Sequence, residues 1–442
     1  MLNCILLTII LLIMLIINYI FFKKCIIEPA FIFNFSFFVS SFVLTFASAK
    51  WNVDINNLTI LTIVFSIAFF SINCYGIKYI FRKKIAIKQN NINIGKKIEL
   101  IKIKKWVLVS FLLFALVMIA LTIFYTVKAV DGSFSDIGAA LYKYRNYALR
   151  YKYDLNFPYI VDLLGGIVRA SSYYFMFILI NNFIISKKID ILLFLVTTVT
   201  SLSTVLDGTR GAIINICLSA IPIFLILYNF HNGKTFKISK KIALLLTLIA
   251  IIFITQFQKT AFILGRDDAK AFDTVDYIYI YLGAPIYNLN TFLNNEILDE
   301  KYIGIHTFSS VYDIFGDFKT VNKQSFQNLN GNNLGNVYTI LFDFICDGKV
   351  IGLIIGLFIM ALISQALFEL IYNVKKKRKK SNKPNITILV YAYIFGGLFF
   401  AFFGNKFYSQ IFNLGFVKYI ILWCLLNYIL FSRKKWLKWL QY

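Results

Sequence analysis

Residues 104–128 of the chain read KKWVLVSFLLFALVMIALTIFYTVK, and no charged residue lies between Lys105 and Lys128. A bilayer has a hydrocarbon core about 30 Å thick, which a helix of roughly 20 apolar residues can cross. Within lipid each backbone N–H and C=O must be satisfied inside the protein, and a helix achieves this within one segment. The stretch therefore predicts a transmembrane helix over 106–127.

Apolar runs of similar length recur along the chain, and about eleven of them are long enough to cross a bilayer. They cover residues 2–22, 29–49, 58–80, 106–127, 158–185, 189–206, 211–230, 242–261, 350–372, 386–403 and 409–431. The runs are continuous, whereas the strands of a membrane β-barrel alternate between apolar and polar residues. The sequence, 59% hydrophobic over 442 residues, predicts an all-α polytopic membrane protein with a single integral membrane domain over 1–442.

The basic residues are concentrated in every second gap between these runs. The gap 78–105 and the run KKKRKK at Lys375–Lys380 are examples. The positive-inside rule makes these gaps cytoplasmic, so the N-terminus is expected outside and the C-terminus in the cytoplasm. Lysines beside a span contact anionic headgroups. The net charge of +25 therefore predicts the lipid bilayer as a partner rather than nucleic acid.

The same alternation leaves two long loops on the outer side, at 128–157 and 262–335. The second loop contains amphipathic pieces such as Val275–Phe292, which predict short interfacial helices. Long loops without a fold of their own are usually lids or binding segments. The chemistry is therefore expected in these two outer loops.

Arg210 is the strongest candidate for a functional side chain. It lies in DGTRG (Asp207–Gly211), a polar hinge that leaves almost no room for a loop between two runs. A charge at such a position faces a wet cavity or a partner. A guanidinium group binds phosphate oxygens in a bidentate manner, so a phosphate or pyrophosphate is the expected ligand. The alternative is that Arg210 only pairs with Asp207.

Four further arginines are expected on the outer side: Arg145, Arg150, Arg169 and Arg266. Arg169 lies inside a predicted span, and Asp162 lies two turns earlier on the same helix face as a possible structural partner. Arg266 directly precedes Asp267 and Asp268, so an internal salt bridge is an alternative there as well. The residues alone leave both interpretations open for each arginine.

His306 is the one histidine expected on the outer side, and a histidine can act as a general base near neutral pH. Asp313 and Asp317 are alternative bases in the same loop. The acidic residues of this loop lack the spacing of a metal site, and the six cysteines form no CxxC pair. Neither a metal nor another cofactor is predicted.

A segment with polar residues directly precedes the apolar run at 350–372. Asp343 and Asp347 lie one turn apart and share a helix face. Gly348, Gly352 and Gly356 follow at a spacing of four. Small residues at this spacing predict close helix contact.

These features together resemble the Wzy-type O-antigen and capsule polymerases, also called oligosaccharide repeat unit polymerases. The resemblance rests on the number of spans, the two outer loops, the Thr209–Gly211 motif before a span, and the Asn336–Thr339 segment followed by Asp347 and Gly348. It covers most of the chain from about 106 to 430. It implies a GT-C-like membrane glycosyltransferase in the bacterial cytoplasmic membrane. Such an enzyme joins undecaprenyl-pyrophosphate-linked oligosaccharides into O-antigen or capsular polysaccharide, without metal or nucleotide sugar.

The resemblance also implies roles for the candidate residues. The five arginines named above would hold the pyrophosphate, and His306, Asp313 or Asp317 would accept the proton of the acceptor hydroxyl. Tyr144, Tyr147 and Tyr151 of the first loop would stack on sugar rings. A chain-length regulator is a further candidate partner. An O-antigen ligase and a flippase for lipid-linked oligosaccharides remain as alternatives.

Overall fold

The computed structural model describes residues 1–86, 99–147, 156–208, 210–232, 258–259, 261, 265, 273–295, 304–315, 325–329, 332–373 and 382–431. Within these ranges, eight helices are long and apolar enough to cross a membrane. The prediction of an α-helical membrane protein is thereby confirmed.

The described helices are α1 Leu2–Phe21, α2 Pro29–Trp51, α3 Asn57–Ala86, α4 Lys105–Ala129, α5 Ile137–Arg145, α6 Tyr159–Ser186, α7 Ile191–Leu202, α8 Arg210–Asn232, α9 Thr274–Ile278, α10 Ala284–Asn295, α11 Ser309–Phe315, α12 Ile340–Asn373, α13 Ile386–Phe399, α14 Lys406–Ile411 and α15 Leu414–Phe431. A 3₁₀ turn, Ser203–Asp207, follows α7, and a π-turn, Tyr279–Gly283, joins α9 to α10. A hairpin of β1 Gln327–Leu329 and β2 Asn332–Gly335 precedes α12.

Three of the predicted spans differ from the eight long helices. The run 189–206 forms the short α7 and the 3₁₀ turn, and the run 386–403 forms the short α13 and a second 3₁₀ turn. The run 242–261 lies almost entirely outside the described residues. The number of about eleven spans therefore stays a prediction.

The chain divides into two compact units. Unit 1 contains Met1–Asn93, Val275–Lys375 and Ile394–Phe416, and unit 2 contains Ile94–Thr274, Lys376–Tyr393 and Val417–Tyr442. His306 belongs to unit 1, whereas Arg145, Arg169 and Arg210 belong to unit 2.

Small polar side chains hold α1 against α2 in unit 1. The Thr8 hydroxyl lies 3.2 Å from the Ser41 hydroxyl and 3.0 Å from the Thr45 hydroxyl. In lipid, helices gain little from burying apolar surface against each other, so close approach at small residues and hydrogen bonds between helices stabilise the pair.

Unit 1 also contains a buried ionic network, which we name the Glu28 network. Lys78 of α3 forms an ion pair with Glu28, the residue before α2. The Gln365 amide of α12 donates to Glu28 at 2.9 Å and to Glu369 at 3.3 Å. Arg82 lies 3.6 Å from Glu369 and is the half-exposed member. Two carboxylates are thus matched by two cations, which ties α2, α3 and α12 together.

The segment Thr274–Asn295 packs along α2 in unit 1. The Ser40 hydroxyl donates to the carbonyl of Leu282 in the π-turn at 2.6 Å. A Cβ on Gly283 would lie 3.3 Å from the Leu44 backbone, so glycine allows this close contact. This part of the second loop is therefore fixed to a long apolar helix.

Unit 2 has an aromatic core in which Tyr173 of α6 contacts Tyr393, Tyr419 and Trp423, with ring centroids 5.3–6.3 Å apart. The Asn215 amide donates to the Tyr173 hydroxyl at 3.1 Å. These contacts join α6 and α8 to α13 and α15.

Candidate functional site

The hinge before α8 is shaped by hydroxyl side chains and one glycine. The hydroxyls of Ser203 and Thr204 donate to carbonyls one turn back, at 2.7 Å in both cases. Such bonds compete with regular helical hydrogen bonds and favour a tighter turn. Gly208, with φ at +64°, ends the 3₁₀ turn in the left-handed conformation that glycine adopts without strain. The chain then enters α8 at Arg210.

Gly208 brings the hinge against α5. A Cβ on this residue would lie 3.0 Å from the carbonyl oxygen of Leu141 and 3.1 Å from the Cβ of Arg145. The absence of a side chain on Gly208 therefore lets the Arg145 stem pass over the hinge. Arg145 is half-buried and is the last residue of α5.

Arg210 is buried, with 6% of its surface exposed, and it is the first residue of α8. The N-terminal end of a helix carries a partial positive charge, so a cation there adds to an already positive potential. A buried position increases this effect because water screens the charge less. The Arg210 side chain and the N-terminal end of α8 thus carry charge of the same sign.

Arg169 of α6 lies on another side of the same 3₁₀ turn. Its guanidinium donates to Asp162 at 3.1 Å, so the predicted structural partner is confirmed. Arg169 also lines a narrow pocket with Thr122 of α4 and with Ser203 and Leu206 of the turn. The guanidinium itself lies over Gly165, where an added Cβ would be 3.3 Å from it.

Three of the five predicted arginines thus lie near one short turn of unit 2. We name Arg145, Arg169 and Arg210 the arginine cluster. The Arg145 stem contacts Gly208, Arg169 lines a pocket with Ser203 and Leu206, and Arg210 begins α8 two residues after Gly208. Arg150, Arg266, Tyr151 and Asp317 lie outside the described residues, as do the side chains of Asp207 and Asp313.

Two of the three tyrosines predicted to stack on sugars are among the described residues of the first loop. Tyr144 and Tyr147 are half-buried against an apolar group formed by Val127, Val130 and Ala140. The Tyr144 ring also contacts Phe157, with centroids 5.5 Å apart. Both rings therefore contribute to packing, and stacking on sugars stays a prediction.

His306 of unit 1 is buried and lies in a turn clamped from both sides. The Asp347 carboxylate accepts the N–H groups of His306 at 2.9 Å and of Thr307 at 2.7 Å. The Asn405 amide donates to the carbonyls of the same two residues at 3.2 and 2.9 Å. The backbone of the candidate base is thus fixed by four hydrogen bonds, and its ring packs edge-on against Phe342.

The position of Asp347 depends on a break in α12. Lys349 adopts φ +52° and ψ −127°, a conformation rare for a residue with a side chain, and the helix reverses there. A Cβ on Gly352 would overlap the Phe344 carbonyl oxygen, and one on Gly356 would lie 2.6 Å from the Phe344 ring. The predicted close contact at these two glycines is confirmed, and the partner is the preceding helical segment.

Sequence reasoning missed Asn405 and the Glu28 network. Asn405 lies between two apolar stretches, and a polar residue at the end of a span is a signal for a buried partner. Among the described residues, no group of three or more His, Cys, Asp or Glu side chains could hold a metal ion.

Comparison with known proteins gave no match to a protein-family model, to a curated protein or to a solved structure.

Proposed function

We propose that the protein is a membrane glycosyltransferase that polymerises polyprenyl-pyrophosphate-linked oligosaccharide repeat units on the outer face of the bacterial cytoplasmic membrane. The observation that carries the proposal is the arginine cluster, in which arginines of three helices of unit 2 lie near one turn. A membrane protein that gathers buried positive charge next to a helix N-terminus favours an anionic ligand.

A lipid-linked pyrophosphate fits this cluster better than a single carboxylate would. Arginine forks pair with phosphate oxygens in a bidentate manner, and several arginines can share the charge of two phosphates. The apolar helices that carry the cluster also provide lipid-facing surface for a polyprenyl chain.

The reaction transfers the growing glycan from its carrier to a new repeat unit. The acceptor hydroxyl oxygen attacks C1 of the donor sugar, and the bond from C1 to the phosphate oxygen breaks. The electron pair of that bond leaves with the polyprenyl pyrophosphate, where the arginine cluster stabilises the developing negative charge. A single displacement of this kind inverts the anomeric centre.

A base must take the proton of the acceptor hydroxyl. We assign this role to His306, with Asp313 and Asp317 as alternatives in the same loop. The clamped backbone of His306 supports the assignment, because a base is effective only when it is held in a fixed geometry.

The proposal is tested by deleting the gene in the source bacterium and separating the surface glycan on a gel. We expect glycan truncated to a single repeat unit, with the ladder restored by the wild-type gene. An unchanged ladder would contradict the proposal. Loss of attached glycan with long lipid-linked chains accumulating would indicate a ligase, and repeats trapped on the cytoplasmic leaflet would indicate a flippase.

A further inference from the structure

The hairpin before α12 lies in a long uncharged stretch at the end of the second loop. Between Lys323 and Asp343 no residue is acidic, basic or histidine, although the chain as a whole carries a net charge of +25. The segment is instead rich in asparagine: Asn328, Asn330, Asn332, Asn333 and Asn336. A surface built here cannot use ion pairing to select a ligand.

The hairpin presents neutral groups on one face. Asn328 and Asn333 are directly paired across the two strands, and both side chains are exposed. Residues opposite each other in an antiparallel pair project to the same face. Phe326, two positions before Asn328, is 55% exposed. An exposed aromatic ring therefore lies directly before the strand that carries Asn328.

The hairpin is held firmly to unit 1. The buried Tyr338 hydroxyl lies 3.1 Å from the Ser325 hydroxyl and accepts from the Gln327 amide at 2.9 Å. The Asn288 amide of α10 donates to the Val337 carbonyl at 2.8 Å. The Asn333 side chain accepts from the Gly335 N–H at 2.8 Å, which fixes the orientation of its amide. A ligand would therefore meet a preorganised surface.

We propose that the exposed hairpin surface, which carries the paired Asn328 and Asn333 with Phe326 beside them in sequence, binds a neutral oligosaccharide. A side-chain amide offers two donors and an acceptor, which match the hydroxyls of a sugar, and a hydroxyl is also both donor and acceptor. An aromatic ring packs on the apolar C–H face of a pyranose. The lack of charge disfavours phosphates and acidic peptides. The inference deepens the proposed function, on which it rests for the choice of glycan.

The experiment is a saturation-transfer NMR titration of the full-length protein in nanodiscs. The probe is the oligosaccharide repeat unit released by mild acid from the lipid-linked intermediates of the source bacterium, and it carries no pyrophosphate. We expect Phe326→Ala and Asn328→Ala each to raise Kd about fivefold, and their combination to raise it further. Asn57→Ala, at an exposed asparagine of unit 1 outside the hairpin, is the matched control and should leave Kd unchanged.

The outcomes separate this inference from the proposed function. The proposal that the hairpin binds glycan would be overturned by either of two results. One is that the hairpin variants bind the probe as tightly as the wild type, and the other is that the wild type does not bind it. Arg210→Ala should not change binding of a probe that lacks pyrophosphate. A different outcome is that the probe binds through the hairpin while deletion of the gene leaves the glycan ladder intact. That pair of results would support the glycan-binding surface and contradict only the polymerase proposal.

Discussion

At the scale of the residue, Asp347 shows how one carboxylate organises a candidate site. It accepts two consecutive backbone N–H groups, at His306 and Thr307, while it is buried in unit 1. Hydrogen bonds to an ionised acceptor are stronger than neutral ones, and a buried N–H left without a partner is costly. The turn that carries His306 therefore depends on a side chain 41 residues away in sequence.

We predict that Asp347→Asn loosens this turn. Asparagine is neutral and has a single acceptor oxygen, so one of the two N–H groups loses its acceptor and the other loses its charged one, at a cost of about 1.5–3 kcal/mol. Hydrogen exchange measured by mass spectrometry should become faster in the peptide that contains residues 304–308. Asp162→Asn, which removes a more exposed carboxylate in unit 2, is the control. Equal exchange in Asp347→Asn and wild type would show that the clamp contributes nothing.

The residue scale also shows the limits of sequence reasoning. The pair of Asp162 and Arg169 was predictable, because residues seven apart lie on one helix face, and the structure confirms it at 3.1 Å. The approach of Arg145 to Gly208 was not predictable, because it depends on how α5 packs on a turn far along the chain. The candidate arginines could be named from sequence, whereas their convergence required the fold.

At the scale of the element, the break in α12 is maintained by Gly352 and Gly356. These residues let Phe344 lie against the second half of the helix. We predict that Gly352→Ala destabilises the protein by about 1–3 kcal/mol, because the new methyl group meets backbone and cannot be avoided by a side-chain rotation. A lower midpoint of thermal unfolding in detergent is the expected result.

The control for this prediction is Gly76→Ala in α3. A Cβ on Gly76 has no neighbour within 4 Å, and alanine favours helix by about 1 kcal/mol over glycine. Gly76→Ala should therefore match or exceed the stability of the wild type. If Gly352→Ala were as stable as Gly76→Ala, the close contact at Phe344 would not exist.

The Glu28 network makes a second prediction for the elements of unit 1. Lys78→Met leaves the Glu28 carboxylate without its cation in a buried site, and removing one partner of such a pair costs about 3–5 kcal/mol. The double variant Lys78→Met with Glu28→Gln should regain much of this loss, because the uncompensated charge is removed. Thermal unfolding of the single and double variants measures both effects. A single variant as stable as the wild type would contradict the role of the network.

The spans were the part of the fold that hydropathy predicted best. Long runs without charge, such as 106–127, form helices because a helix satisfies its backbone hydrogen bonds within one segment in lipid. The run 189–206 differs because its hydroxyl residues bond back to carbonyls, which shortens α7 and forms the 3₁₀ turn. Mean hydropathy does not register such local competition for backbone carbonyls.

At the scale of the whole molecule, the charge pattern predicts one orientation in the membrane. Fusions that end at Asp54 or Gly132 should give active alkaline phosphatase, which folds only outside the cytoplasm. Fusions of green fluorescent protein that end at Lys188 or His231 should instead fluoresce, because both positions are predicted to be cytoplasmic. Lys188 lies in a lysine-containing gap, and His231 directly precedes the lysines of 234–241. Phosphatase activity at Lys188 would show the opposite orientation. The arginine cluster would then lie on the wrong face for a donor outside the cytoplasm.

The central claim is that the arginine cluster holds the pyrophosphate of a lipid-linked glycan donor during polymerisation. The most direct measurement uses purified protein in liposomes with lipid-linked repeat units extracted from the deletion strain. The account predicts a glycan ladder with the wild type, strong loss of the ladder with Arg210→Ala, and partial activity with Arg210→Lys, which keeps the charge but not the fork. Lys128→Ala, at an exposed lysine of unit 2, should behave as the wild type. A full ladder from Arg210→Ala at equal protein level would contradict the claim.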